Sequence, residues 1–267
     1  MICRYYKEGQ KLNVADLNEI TVLIDRSETE LTEVAFNEWR RGLTGPPHRH
    51  TQKEQIFFIM SGAGTITIAD ETFEVKPDDL LYVPVGVTHQ TIVTSQEPLG
   101  YILFNAFSNS DKEGHASFAD HIAKVKATRK KQAETQQADA DLQESEVLST
   151  RRGKHINDVF SGKRFESGSK TTISLLDRAE AERCETMVVS WAAGSKEAPV
   201  ACEDKERTLF VLSGTGSVTI GNETRPVKPG DTVFVPRNTL HMTEAGQEQL
   251  DYLSLDTVVA RQEHGNF

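Results

Sequence analysis

The chain is poor in cysteine. Cys3, Cys184 and Cys202 are the only three among 267 residues. So sparse and odd a set gives no disulfide framework and fits a reducing compartment. Positive charge is also short: 30 Lys and Arg stand against 40 Asp and Glu, for a net charge of −10. A nucleic-acid binder needs a basic face, so no nucleic-acid partner is expected. No window approaches the ~18 apolar residues of a membrane span. The opening MICRYYKEGQ lacks the apolar core of a secretory signal. No membrane partner is expected, and the expected location is cytoplasmic. What remains is ample for folding: 37% of residues are hydrophobic, and the length suits two domains of modest size.

Tryptophan is scarce too, and its two copies mark a repeat. Residue n set beside residue n+152 aligns Trp39 with Trp191 and LIDRSETE (23–30) with LLDRAEAE (175–182). From Ile56 to His89 the alignment has 15 identities in 34 positions without a gap, which implies a duplicated domain. Each copy reads as all-β. Runs rich in Val, Ile, Thr and Phe alternate with Gly, Pro, Asn and Asp turn signals. In the first copy these runs include TEVAFNEW, QIFFIMSG, GTITIA, DLLYVP and YILFNAF. Some 8–10 strands so spaced suggest a small barrel or a double-sheet jelly roll. Ala69-Asp70 and Gly221-Asn222 fall where hairpins must turn.

Between the copies the pattern changes. Ser117–Thr135 carries Phe118, Ile122 and Val125 at helical spacing, with a basic run, Arg129-Lys130-Lys131, expected on a solvated face. Gln136–Ser145 has no core-forming pattern and is expected to be a mobile linker. The expected division is residues 1–110 as a first barrel, 111–150 as helix plus linker, and 151–267 as a second barrel.

The chemistry concentrates in PPHRHTQKEQ, residues 46–55. On extended backbone, residues i and i+2 share a face, so His48 and His50 can both aim inward. Imidazole is a common ligand for several transition metals at neutral pH. Gln55 or Glu54 begins the next strand, and His89 comes from a distant one. Three histidines and one oxygen would leave coordination positions open for substrate or water, as a catalytic metal requires. His115, His121, His155 and His264 have no comparable partners and are expected in solvent.

These residues resemble the cupin superfamily, and the duplication resembles a bicupin. Gly42, His48, His50 and Gly62 fit the first cupin motif, and counting back from Gly62 puts Gln55 at the acidic ligand's position. Pro84, Gly86 and His89 fit the second, with Asp78 replacing a glycine and Val93 an asparagine. The resemblance implies an all-β chain of two tandem cupin jelly-roll (double-stranded β-helix) barrels joined by a helical or flexible linker. It also implies a metal held by His48, His50, Gln55 and His89.

The second copy lacks that set. His48 becomes Val200, His50 becomes Cys202 and Gln55 becomes Arg207, while His89 persists as His241. Valine cannot ligate and arginine cannot lose its proton to do so, so one metal per chain is expected. Glu54 persists as Glu206 although the histidines do not. That favours Gln55 as the fourth ligand and leaves the two glutamates solvated or holding nearby strands. Arg207 is expected either to bind an anion or to fill the core, balanced by Glu203, Asp204 or Glu206.

One divalent transition ion (Zn, Fe, Ni, Mn or Cu) is the expected cofactor. A wholly neutral ligand set leaves that ion its full charge, which favours Lewis-acid work. Among cupins, the resemblance is to glutamine-bearing members that isomerise, cyclise or open sugar-acid rings. The leading expectation is an isomerase-like enzyme acting on a small oxygenated substrate. The alternatives are an iron-dependent dioxygenase and a non-catalytic small-molecule-binding or sensor protein. The acid or base is not identified; Glu54, Tyr82, Arg41 and Gln90 lie near the motif. Monomer and homodimer are both open.

Overall fold

The computed structural model describes residues 1–135 and 155–259. The first strands are β1 (Ile2–Tyr5), β2 (Gln10–Val14), β3 (Asn18–Ile24), β4 (Thr32–Trp39) and β5 (Lys53–Ser61). They are followed by β6 (Gly64–Ile68), β7 (Glu71–Val75), β8 (Asp79–Val83), β9 (His89–Val93) and β10 (Leu99–Phe107). Helix α1 spans Phe118–Thr135. Then come β11 (Ile156–Asp158), β12 (Lys163–Ser167), β13 (Lys170–Leu176), β14 (Cys184–Trp191) and β15 (Lys205–Ser213). The last are β16 (Gly216–Ile220), β17 (Glu223–Val227), β18 (Asp231–Val235), β19 (His241–Ala245) and β20 (Leu250–Val258).

Each copy folds as a seven-stranded sheet facing a three-stranded one. The first has the order β11-β8-β5-β10-β4-β3-β2 opposite β7-β6-β9, and the second β1-β18-β15-β20-β14-β13-β12 opposite β17-β16-β19. The expected pair of double-sheet barrels is therefore present. Both hairpin turns enter the left-handed region, Gly221 at φ 57° without steric cost and Ala69 at φ 56° against alanine's preference. Asp78 stands at φ 72° where the second copy has Gly230 at φ 88°. Aspartate is among the few side chains that enter this left-handed region at low cost, which is why it can replace the glycine.

The two end strands of the large sheets are exchanged. β1 pairs with β18 of the second barrel, and β11 pairs with β8 of the first. Residues 2–5, expected in the first barrel, and 156–158, expected in the second, thus each close the other copy's sheet.

β5 shows how the sequence is read by alternation. Its side chains are buried on both faces of the sheet, so its apolar run is nearly continuous. Ile56 and Phe58 join a core shared between the barrels, where Phe58 meets its repeat equivalent Phe210 at 5.9 Å between ring centroids. Phe57 and Ile59 join the interior of the first barrel. The same alternation sends Glu54 to the shared core and Gln55 inward.

Glu54 and Glu206 are not solvated; they are 1% and 3% exposed and tie the barrels together. Glu54 accepts the backbone N–H groups of Glu182, Arg183 and Cys184 at 2.9–3.0 Å and the Tyr82 hydroxyl at 2.8 Å. Glu206 returns the contact, accepting the N–H groups of Glu30 and Leu31 at 2.7 and 2.8 Å and the Thr32 hydroxyl at 2.8 Å. Each buried carboxylate thereby caps the chain entering the partner barrel's fourth strand, and its charge is met by donors rather than by a cation.

Helix α1 forms where its apolar spacing places it. Phe118 and Ile122 are buried and Val125 packs beside them in the first barrel's core, against β2. The side chains of Arg129, Lys130 and Lys131, the segment Gln136–Ser145 and His264 lie outside the described residues. Among the described residues, no helix is long and apolar enough to cross a membrane.

Candidate metal centre

His48 and His89 sit opposite one another on adjacent strands. Each backbone N–H donates to the other's carbonyl, at 3.0 and 2.8 Å, so both side chains leave the same face. His50 follows two residues on. The ring centroids of the three lie 4.2, 5.1 and 5.6 Å apart, and one ring nitrogen from each falls within 4.8 Å of the others. Each Nδ1 faces an oxygen: Pro46 O at 3.1 Å from His48, Val87 O at 3.5 Å from His89, and Glu113 Oε1 at 3.4 Å from His50. A neutral imidazole that donates from Nδ1 carries its lone pair on Nε2, the tautomer a metal ligand needs.

Gln55 lines the same cavity as the triad, and Glu54 does not. A relay of donors fixes which end of the Gln55 amide faces inward. Arg26 grips Glu33, with Nε at 2.5 Å and Nη2 at 3.1 Å. An ionised carboxylate only accepts, so Asn105 must give it Nδ2, at 2.6 Å, and turn Oδ1 to Gln55. Gln55 then donates Nε2 to that oxygen at 2.8 Å. Its Oε1 is buried with no hydrogen-bond partner among the described residues. A buried carbonyl oxygen without a donor is costly unless something binds it, and a divalent cation is such a partner. The donor set of three imidazoles and one amide oxygen therefore fits a metal.

The cavity measures about 90 Å³ and reaches from the histidines to helix α1, Asn18, Asn37 and Lys53. That is well below the ~300–1,000 Å³ of sites for drug-sized ligands, so a ligand here is small. Lys53 is buried and pairs with Glu113 at 3.0 Å. Burial alone would raise the Glu113 carboxyl, but the Lys53 and Arg26 charges outweigh it and hold it below the usual carboxylate range. Glu113 sits at φ 63° between Lys112 at φ 49° and Gly114 at φ 68°. Two consecutive non-glycine residues in the left-handed region mark a strained corner that aims this carboxylate at His50.

The other histidines differ from expectation. His121 projects from α1 into the cavity wall, and its buried Nδ1 has no hydrogen-bond partner among the described residues. Burial first, then the nearby Lys53 and Arg26 charges, push its pKa down to about 2. His155 is buried, with Nδ1 at 3.1 Å from Tyr82 O, and His115 stacks edge-on with His121 at 4.8 Å. Sequence spacing shows neither that α1 folds back onto the barrel nor that β11, beside His155, pairs with β8. None of Glu54, Tyr82, Arg41 and Gln90 lines the cavity. Tyr82 donates to Glu54, Gln90 donates to Gly45 O at 2.9 Å, and Arg41 is exposed. Sequence reading missed Asn18, Lys53 and Glu113. Asn18 and Lys53 share the inward alternation of β3 and β5, a signal that could have found them; Glu113 lies in an irregular loop and gave none.

The second barrel keeps the backbone and fills the site. Val200 and His241 exchange the same pair of backbone hydrogen bonds, both 2.9 Å. Arg207 occupies the Gln55 position and is held by Asp256 through two bonds of 2.9 Å, with Nη1 3.4 Å from His241 Nε2. Its partner is thus Asp256, across on β20, and not Glu203, Asp204 or Glu206. Lys205 adds a second cation to Asp256 at 2.8 Å. Burial would raise the Asp256 carboxyl and lower the Arg207 guanidinium, but the pairing outweighs both effects and stabilises the charged forms. Of the two expectations for Arg207, the filled core is the one this geometry supports.

Comparison with known proteins agrees with this architecture. The profile of the Cupin domain family matches residues 38–104 and 187–256. An uncharacterised protein of Methanocaldococcus jannaschii, MJ1618, is 32% identical over 68 residues, which is 25% of this chain and 54% of that protein. An uncharacterised protein of Streptomyces coelicolor, SCO3923, is 33% identical over 64 residues, or 24% and 60%. The matched stretch thus spans little more than half of either relative. Among solved structures, Bacillus subtilis oxalate decarboxylase, studied for its Mn(II) centres, superposes with a TM-score of 0.68 at 16% identity, covering 97% of this chain and 78% of that one. A mutant of the same enzyme gives 0.67 at 16% identity over the same shares. With both matched segments lying in the duplicated barrels, the chain belongs to the cupin family and carries two cupin domains in one polypeptide.

Proposed function

We propose that the first barrel holds one divalent metal ion through His48, His50, His89 and Gln55. We further propose that it acts as a non-redox enzyme on a small oxygenated substrate such as a sugar acid, by isomerisation, cyclisation or ring opening. The observation that carries this reading is the Gln55 oxygen, buried, without a partner among the described residues and turned to the cavity by the Arg26–Glu33–Asn105 relay. Bound there, the ion would supply a Lewis acid whose charge is not offset by any ligand.

The chain's own residues bind and orient. The Lys53 ammonium carries three donors, of which Glu113 takes one, so it can meet an anionic oxygen in the cavity. Helix α1 excludes water by laying Phe118 and Ile122 over the cavity. His121, with a pKa near 2, is too weak a base to hold a proton at neutral pH and serves as a neutral hydrogen-bonding group.

Elemental analysis of purified protein is the test. One equivalent of metal per chain is expected, falling to none in His48→Ala/His50→Ala. A double variant that keeps a full equivalent would refute the proposal. A second reading, a redox enzyme using manganese or iron, is favoured by the likeness to an enzyme with Mn(II) centres. Oxygen uptake by Mn- or Fe-loaded protein with substrate present would decide for it.

A further inference from the structure

The wall of the cavity formed by β3 and β4 carries a second polar group whose hydrogen bonding is incomplete. Asn18 is 4% exposed and lines the cavity together with the triad. Its Nδ2 donates to Asn37 Oδ1 at 2.6 Å, Asn37 Nδ2 donates to Tyr101 Oη at 2.9 Å, and Trp39 Nε1 donates to the same oxygen at 2.8 Å. The relay holds the Asn18 amide by its nitrogen. Its Oδ1 is buried and has no hydrogen-bond partner among the described residues.

The second barrel separates what the fold needs from what the site adds. Trp191 and Tyr252 repeat the indole–hydroxyl contact at 3.3 Å. Asn18 and Asn37 do not repeat: their equivalents are Lys170 and Val189. Lys170 turns to the Trp191 ring and to Glu197. The Trp–Tyr contact thus belongs to the barrel, while the asparagine pair is present only where the histidine triad is present.

We infer that Asn18 is the specificity-determining residue of this site, and that it accepts a hydrogen bond from a hydroxyl group of a small hydroxy acid. The inference rests on the metal reading above: a divalent ion held by the triad would attract an anionic group, which places the substrate's carboxylate at that end of the cavity. A buried carbonyl oxygen requires a donor. A fully ionised dicarboxylate has only acceptors to offer and would face Asn18 Oδ1 oxygen to oxygen. A hydroxy acid satisfies both ends at once.

The test is calorimetric binding to the full chain loaded with Mn(II) and, in parallel, Zn(II). The probes are glycerate, lactate and malonate. Lactate lacks glycerate's terminal hydroxyl, and malonate puts a second acceptor group in its place. Glycerate should bind about tenfold more tightly than lactate, within the roughly 5- to 150-fold that one buried hydrogen bond commands, and malonate no more tightly than lactate. Asn18→Leu should reduce the glycerate preference to about one while metal content stays at one equivalent. Equal binding of glycerate and lactate by the wild type, no binding of glycerate, or a preference for malonate would each overturn the inference, and none of these needs a variant to fold. Failure of the metal reading is separate: it appears as less than one equivalent of metal before any acid is added.

Discussion

The two barrels share a backbone and differ at one end of their interiors. In the first, His48 and His89 exchange backbone hydrogen bonds and point two imidazoles into a cavity; in the second, Val200 and His241 make the same exchange around a packed pair of charges. The position of Gln55 becomes Arg207, and its supporting Asn105 becomes Asp256. An amide pair that orients an oxygen has been replaced, in register, by an ion pair that needs no ligand. The backbone geometry of the site is therefore a property of the fold, and the side chains at a few positions decide whether it is a site.

If that is so, a site can be restored. Val200→His, Cys202→His, Arg207→Gln and Asp256→Asn together reproduce the first barrel's set around the existing His241. The expected outcome is a rise from one to two metal equivalents per chain by elemental analysis. The second equivalent should bind more weakly, because the Arg26–Glu33 support becomes Arg178–Glu185, with Glu185 already bonded to Lys205 at 2.7 Å. A folded variant that still holds a single equivalent would show that more than these side chains separates the barrels.

Removing one member of the filled core should destabilise it. Asp256 is fully buried between Arg207 and Lys205, so Asp256→Ala leaves two cations without their anion. The expected loss is about 3–5 kcal/mol in denaturant unfolding, the usual result of breaking a buried pair from one side. Its folded pKa is depressed, so its contribution is present above the unfolded value near 3.8 and is lost as pH falls through the folded one.

The barrels are alike where they hold each other. Glu54→Gln and Glu206→Gln each turn an amide N–H toward backbone donors that had a carboxylate oxygen. Each should cost about 1.5–3 kcal/mol, because the amide nitrogen faces at least one backbone N–H whose charge-assisted bond is lost, with metal content unchanged. Similar losses in both variants would confirm that the glutamates belong to the joint between barrels. A loss of metal in Glu54→Gln alone would reopen its role in the site.

The sequence made this contrast legible because the chain is written twice. The ungapped repeat showed which residues changed with the histidines, and strand alternation placed Gln55 and Glu54 on opposite faces. What was illegible has physical reasons. β1 and β11 are four and three residues long, too short for a periodic signal, so their exchange between sheets could not be read. Glu113 reaches His50 through a left-handed corner in DKEG, a stretch that reads as an ordinary turn. Asn18 and Asn37 meet through β3–β4 pairing, and nothing local distinguishes them from surface asparagines. The burial of Glu54 and Glu206 depends on a contact between copies, which no reading of one copy contains.

The smallest expected effect at neutral pH tests an element that has no counterpart among the described residues of the second barrel. Helix α1 closes the first cavity and carries His121, whose folded pKa of about 2 lies below the usual value of 6.5 because burial disfavours the imidazolium. Between those values the unfolded chain binds a proton at this position that the folded chain does not. Stability therefore rises with pH across that window and is lost as pH falls below 6.5, by at most about 1.4 kcal/mol per pH unit. His121→Phe keeps an aromatic ring against His115 and Phe118 and removes the proton. Unfolding measured from pH 7 to pH 4 should show a shallower acid slope for the variant, by up to one proton's worth. The same difference in slope should persist below pH 4 and fade only near pH 2, on top of the Asp256 contribution that both proteins share. A variant that parallels the wild type from pH 7 to pH 4 would mean that the helix leaves the barrel before residue 121 is protonated.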